Sequence, residues 1–370
     1  MKNREIIEKV ILNLFKNNIN LQETEKVLIF TDKKDSKENN LFDIALYFSE
    51  IAKTLSQKVS FICYPSLAGH GIEPPENVWI EAFGEDTVNL LKKKKFFNKI
   101  LKKSLPEEKI ESVKKIIKEY AFQSVDVVIA LSYYSTSHTQ FRHFLTDICG
   151  TRYCSMPLFE ESMFFSALQE DWILLKKRNL FLKEKLKNSS FIIVKSDNGT
   201  HLRFSVKGRE FQLDSGDLSY SGAFSNIPAG EVFIAPIEKT ANGKLVIEYS
   251  PTSKLSSPLT LFIEDGLVNY IEGNDKYKDE LYKKINANPL NSNIAEFGIG
   301  TNSRANNLLN ILESEKILGT IHIALGDNSS FGGKVRTNFH EDYIVLNPTV
   351  EVYTENKDNF FILVNGKHFF

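Results

Sequence analysis

Two stretches in the last fifth of the chain set metal-binding residue types beside strand-like runs. His322 lies in Thr320-Ile321-His322-Ile323-Ala324-Leu325-Gly326, which enters a loop of Gly, Asp, Asn and Ser. His340 lies in Phe339-His340-Glu341-Asp342-Tyr343-Ile344-Val345. Residues i and i+2 of a strand point to the same side. His340 and Asp342 therefore present an imidazole and a carboxylate to one point, a ligand pair for a divalent transition metal. Glu231 sits between a Pro/Gly turn and an apolar run in Asn226 to Pro236, and Glu296 stands in Ala295-Glu296-Phe297-Gly298-Ile299-Gly300, followed by Thr301-Asn302. A charge in such a place either faces solvent or has a strong partner, because an unpaired buried charge is costly. The small residues near Glu296 let the backbone approach another element closely. Taken singly, His-x-Asp is common by chance and each Glu reads as a strand-edge charge.

The elements that must carry these residues follow from periodicity. Ile6, Ile7, Val10, Ile11 and Leu14 have helical spacing. Val27 to Phe30, Lys58 to Tyr64 and Val125 to Leu131 read as buried strands, with a helix pattern over Leu41 to Leu55. Strands alternating with helices predict an α/β N-terminal domain with a largely parallel sheet. The Lys-rich stretch Leu90 to Tyr120 reads as solvated helices split near Pro106, since Glu107, Glu108 and Glu111 follow at once. From about Phe191 the texture turns strand-rich. Asn198-Gly199 and Asp265-Gly266 between apolar runs predict hairpins. Val345 to Val352 and Phe360 to Val364 read as strands, Tyr277 to Ile285 and Asn306 to Leu312 as helices. The second half is thus a mixed α+β, strand-rich domain, and the expected division is 1–188 and 189–370, with the join at the charged helix Lys176 to Lys187.

The chain of 370 residues, 42% hydrophobic and 25% charged, has globular composition and room for two domains. Its net charge of -1 calls for neither nucleic acid nor an anionic membrane. Three cysteines, Cys63, Cys149 and Cys154, fit a reducing compartment. The N-terminus lacks an apolar core and a cleavage site, and no membrane-spanning apolar stretch occurs. A cytoplasmic protein is expected. There is no GxGxxG after the first strand, no GxxxxGK[ST] and no GxSxG, which argues against dinucleotide, P-loop and serine-hydrolase sites.

Segments Asn226 to Pro236, Ala295 to Asn302, Thr320 to Gly326 and His340 to Asp342 resemble the blocks of the thermophilic metalloprotease family of aminopeptidases (aminopeptidase T, aminopeptidase S, PepS). Asn198 to Leu202, Ile271 to Gly273, and Ser137 to Thr139 leading to Ser155 to Pro157 agree as well. The resemblance runs from about residue 125 to the C-terminus. It implies a homodimer that removes N-terminal residues from peptides, with two divalent ions (Zn, Co or Mn) on Glu231, Glu296, His322, His340 and Asp342. Two metals activate a water and polarise the carbonyl, and the substrate is a peptide or small molecule with a free amine. Two departures stand out. The stretch Asp327 to Gly333 lacks the Tyr that these peptidases carry, and His322 and His340 lie closer together than in them. Asp327 is then the loop candidate for the proton shuttle, and Lys334 and Arg336 are candidates for holding the oxyanion or a substrate carboxylate. His138 and His143 start the helix after Val125 to Leu131, where the first domain would shape the substrate cleft, or His138 caps that helix with Ser137 and Thr139.

Two alternatives share the scaffold. A 2,5-dihydroxypyridine dioxygenase resembles these peptidases but holds one iron with two His and an Asp, here His322, His340 and Asp342. Glu231 and Glu296 are not needed by such a site. The other is a non-peptidase metal-dependent amide hydrolase. A degenerate binding protein would have lost one of the five residues, and none is lost.

Overall fold

A computed structural model describes residues 4–33, 40–67, 69–356 and 358–368. The chain divides into two compact units, Met1–Gln169 with Gly216–Pro228, and Glu170–Ser215 with Ala229–Phe370. The first is α/β. Its sheet runs in the order β2 (Lys58–Pro65), β1 (Lys26–Lys33), β3 (Val127–Ala130), β4 (Arg152–Ser155) and β8 (Phe224–Asn226), and every pairing is parallel. Leu28, Phe30 and Val128 join Trp79, Val88, Phe97 and Ile117 from the surrounding helices in one buried core. The lysine-rich stretch forms three helices, Glu85–Lys93, Phe97–Leu101 and Glu107–Glu119. The apolar positions of these helices supply part of that core.

The second unit is strand-rich and antiparallel. Eight strands run in the order β12 (Leu267–Glu272), β11 (Ser253–Glu264), β10 (Asn242–Ser250), β6 (His201–Ser205), β5 (Ser189–Lys195), β16 (Thr349–Thr354), β17 (Asn359–Val364) and β18 (Lys367–His368). Five more run in the order β15 (His340–Val345), β14 (Ile321–Gly326), β13 (Ile294–Gly300), β9 (Glu231–Ile234) and β7 (Gln212–Asp214). Both expected hairpins form, β5–β6 around Asn198-Gly199 and β11–β12 around Asp265-Gly266. No helix among the described residues is long and apolar enough to cross a membrane.

Two local expectations are corrected. Val345 to Val352 is not one strand. It breaks at Leu346 to Pro348, where Asn347 takes a positive φ of 48°, because the chain leaves the five-stranded sheet at β15 and enters the eight-stranded sheet at β16. Asn306 to Leu312 is not a helix. The Asn302 carboxamide oxygen accepts the backbone N–H groups of Arg304 and Ala305, and Glu313 accepts that of Asn306. Side chains here satisfy the backbone in place of a helical ladder, and only Ile311–Ser314 is helical, capped by Asn310.

The five-stranded sheet has two unlike faces, and cross-strand register fixes which residues share each. Phe297, Ile299, Ile321, Ile323, Leu325, Tyr343 and Val345 belong to a core shared with Ile192, Val194, Leu202 and Phe204 of the eight-stranded sheet. The pairs Glu296↔Ala324↔Asp342, Gly298↔His322, Gly300↔Glu231 and Gly326↔His340 lie on the other face. Every titratable side chain in that set stands beside a glycine or an alanine. At Gly298 a Cβ would overlap the His322 ring itself. Gly298→Ala is therefore expected to cost about 1–3 kcal/mol of stability by overpacking and to tilt the imidazole off its neighbours. Thermal melts and the His322 ring NMR shifts check this. An unchanged melt with unshifted resonances would remove the steric argument.

Candidate metal centre

Four strands, β9, β13, β14 and β15, bring Glu231, Glu296, His322, His340 and Asp342 together. His322 Nε2 lies 3.3 Å from Glu296 Oε1 and 3.3 Å from Glu231 Oε2. His340 Nε2 lies 3.4 Å from Glu296 Oε2 and 3.6 Å from Asp342 Oδ1. The Glu296 carboxylate thus stands between the two imidazoles. Among the described residues, three groups of side chains could each hold a metal ion: Glu231 with Glu296 and His322, Glu296 with His340 and Asp342, and Glu315 with His322 and Asp342. Neither Asp327 nor Arg336 belongs to them.

Asp327 contributes through its backbone. Its carboxylate accepts the Ser329 and Thr337 backbone N–H groups and the Ser329 hydroxyl, which holds the loop between β14 and β15. Its carbonyl oxygen lies 2.7 Å from His340 Nδ1. A carbonyl only accepts, so Nδ1 carries the proton and the Nε2 lone pair is left for a metal, the usual outer contact of a ligating histidine. Phe331 in the same loop packs edge-on to His340, at 5.9 Å between ring centres, and to Phe233 at 5.6 Å. Lys334 and Arg336 are exposed. In the first unit, Thr139 rather than His138 caps the helix Gln140–Phe144, accepting the Arg142 backbone N–H.

Sequence reasoning did not single out Glu315 and Lys316. Lys316 is wholly buried, with Nζ 2.6 Å from Glu231 Oε1, 2.6 Å from Glu315 Oε1 and 3.8 Å from Asp214 Oδ2. The available signal was the pair Glu315-Lys316 set directly before the apolar Ile317-Leu318 and close to the apolar strand run from Ile321, where a charge needs a partner.

Burial is the largest influence on every one of these groups, and neighbours decide where it is overcome. It pushes Glu231 up to about 8 in spite of Lys316, and it raises Glu315. Burial would raise Glu296 too, but hydrogen bonds from His322 and His340 hold it below the ordinary value. Burial likewise opposes ionisation of Asp342, yet His340 beside it holds it well below the usual range. Burial disfavours charge on His322, but the Glu296 hydrogen bond and the Glu231 carboxylate lift it to about 9. The acceptors that favour a proton on these imidazoles favour a divalent cation in its place.

These shifts give a pH dependence with a defined sign. His322 and Glu231 bind protons more tightly folded than unfolded. The stability they lend the metal-free fold is complete below their ordinary values of 6.5 and 4.5 and is lost as pH rises through 8 to 9. Glu296 and Asp342 act oppositely, and their contribution is lost only in acid. Chelator-treated protein is expected to melt at falling temperature between pH 6.5 and 9, and a saturating divalent ion, which needs deprotonated donors, to abolish that fall. Thermal scans with and without cobalt check this. A flat metal-free profile would contradict the assignment.

Residues 107–357, more than half of the chain, match the model of the family described as NicX: 2,5-dihydroxypyridine 5,6-dioxygenase. The sequence has no match among curated proteins. The fold is similar to the structure of 2,5-dihydroxypyridine dioxygenase from Pseudomonas putida KT2440, with a TM-score of 0.69 and 18% identity, covering 98% of this chain and 96% of that one. It is also similar to wild-type AmpT from Thermus thermophilus, with a TM-score of 0.59 and 14% identity over the whole of both chains. The expected fold class, a parallel α/β unit followed by a strand-rich unit, stands. The expected activity does not. The family match overturns the reading of a hydrolase, an aminopeptidase that cleaves peptides with two zinc, cobalt or manganese ions. Over the greater part of its length this chain belongs to the 2,5-dihydroxypyridine 5,6-dioxygenase (NicX) family of enzymes.

Proposed function

We propose that the chain is a dioxygenase that opens a hydroxylated nitrogen-containing aromatic ring, with one ferrous ion held by His322, His340 and Asp342. The observation that supports it most is His340 and Asp342 side by side on β15, with His322 on the adjacent β14 facing the same way, inside the segment that matches the dioxygenase family. Two imidazoles and one carboxylate are the donor set that leaves coordination positions open for substrate and oxygen.

The surroundings fit a divalent transition metal. Glu231 Oε2 is buried and accepts no hydrogen bond. Five carboxylates, those of Asp214, Glu231, Glu296, Glu315 and Asp342, crowd around the single ammonium of Lys316 and two imidazoles. That is an excess of negative charge which a dication offsets. When bound, ferrous iron supplies the one-electron chemistry that lets triplet dioxygen react with a closed-shell ring.

The protein's own residues do the rest. The Asp327 carbonyl fixes the His340 tautomer, and Gly298 keeps room for the His322 ring. Phe331 and Phe233 lie edge to face beside His340, forming an apolar wall that suits an aromatic substrate and limits water. Glu296, ionised and within reach of both Nε2 atoms, is placed to take the proton of a ring hydroxyl on one of its carboxylate oxygens. General-base catalysis of that kind is worth about 10²–10⁴-fold.

Anaerobic loading with ferrous iron is expected to give one iron per chain. Oxygen uptake should then match the loss of 2,5-dihydroxypyridine mole for mole. Asp342→Ala and His340→Ala should lose both iron and uptake, while Glu296→Gln keeps iron and slows turnover by about 10²-fold or more. Full iron occupancy with no oxygen uptake on any hydroxypyridine would falsify the reading.

A further inference from the structure

The reading of one iron leaves Glu231 and Glu296 to be explained, because with His322 they form a second group able to hold a cation. The geometry points to Lys316 as the resident cation of that second position, so that the five-donor cluster takes one metal ion where it would otherwise take two. This inference rests on the one-iron reading proposed above and supplies its cause.

Lys316 is placed for that role. Its side chain is fully buried, and its Nζ reaches Glu231 Oε1 and Glu315 Oε1 at 2.6 Å each, with Asp214 Oδ2 at 3.8 Å. Glu315 in turn shares a candidate group with His322 and Asp342, so the ammonium occupies one oxygen in each of two groups. Glu231 keeps a single oxygen toward His322, and that oxygen accepts no hydrogen bond. A dication there would stand a few ångströms from a fixed positive charge in a water-poor setting, where repulsion is poorly screened. No ammonium lies within ion-pair distance of Asp342 among the described residues, so the proposed iron position on His322, His340 and Asp342 stays open to one metal. The backbone keeps Lys316 in place, because its N–H donates to Glu313 and its carbonyl accepts from Asn302.

The experiment counts metal ions. Wild type, Lys316→Met, Lys316→Arg and the double variant Lys316→Met/Glu315→Gln are loaded with cobalt(II), desalted, and analysed by native mass spectrometry and elemental analysis. Wild type and Lys316→Arg are expected to hold one ion per chain, and both variants carrying Lys316→Met two. The double variant removes one carboxylate along with the ammonium, which protects the measurement against misfolding. Should neither Met variant fold without metal, refolding in cobalt becomes the readout, with recovery at two ions per chain expected. One ion in a folded Met variant, or no recovery in cobalt where wild type recovers, overturns the role of Lys316 and leaves the one-iron reading standing. Two ions in wild type overturns the one-iron reading itself. A purely structural lysine would lower stability without changing the count.

Discussion

One carboxylate held between two imidazoles organises the second unit's chemistry. Glu296 faces both His322 and His340, so three adjacent strands are tied through a single side chain. The contact sits on the polar face of a sheet whose other face carries the apolar core. Desolvated charges there are tolerable only when every one has an opposite partner close by. The cluster is therefore all-or-none: removing one cation leaves several carboxylates exposed to one another. That is why the pKa shifts run in opposite directions within a few ångströms, Glu231 upward and Asp342 downward.

The sheet can carry such a face because its backbone was left bare where side chains are large. Gly298, Gly300, Ala324 and Gly326 pair across strands with His322, Glu231, Asp342 and His340 or lie directly between them. An ordinary strand would fill those positions with β-branched residues that pack against their neighbours. Here the missing side chains create the volume in which imidazoles and carboxylates converge. The glycines thus weaken the sheet locally in exchange for a site, a cost that the extensive apolar core on the opposite face offsets.

Much of this was legible in the residues. The Asn198-Gly199 and Asp265-Gly266 turns announced their hairpins, and the period of two put His340 and Asp342 on one side of a strand before any register was known. Continuous apolar runs marked the parallel sheet of the first unit. What stayed hidden depends on contacts distant in sequence. That Glu231 lies opposite Gly300, or that Lys316 reaches Glu231 85 residues away, is a matter of register between strands, which no local pattern specifies. Glu231, Glu296 and His322 were joined into one site by family resemblance rather than by spacing. The loop after Thr301 misled for a different reason, since its apolar spacing is helical but the side chains of Asn302 and Glu313 take the backbone donors that a helix would need.

The activity was the least legible part, and the donor set explains why. Two imidazoles and three carboxylates suit a pair of hard or borderline dications as readily as a single iron, since both draw on nitrogen and oxygen ligands. Ligand identity alone therefore does not separate hydrolysis from oxygenation. What separates them is the charge already present in the cluster and the wall of the pocket. On the proposed reading, an ammonium among the carboxylates lowers the demand for a second metal, and Phe331, in a loop without Tyr, sets an aromatic edge beside His340. On that same reading, both features favour a flat ring bound at one cation over water activated between two. On this view the decisive residues lie beside the ligands and not among them.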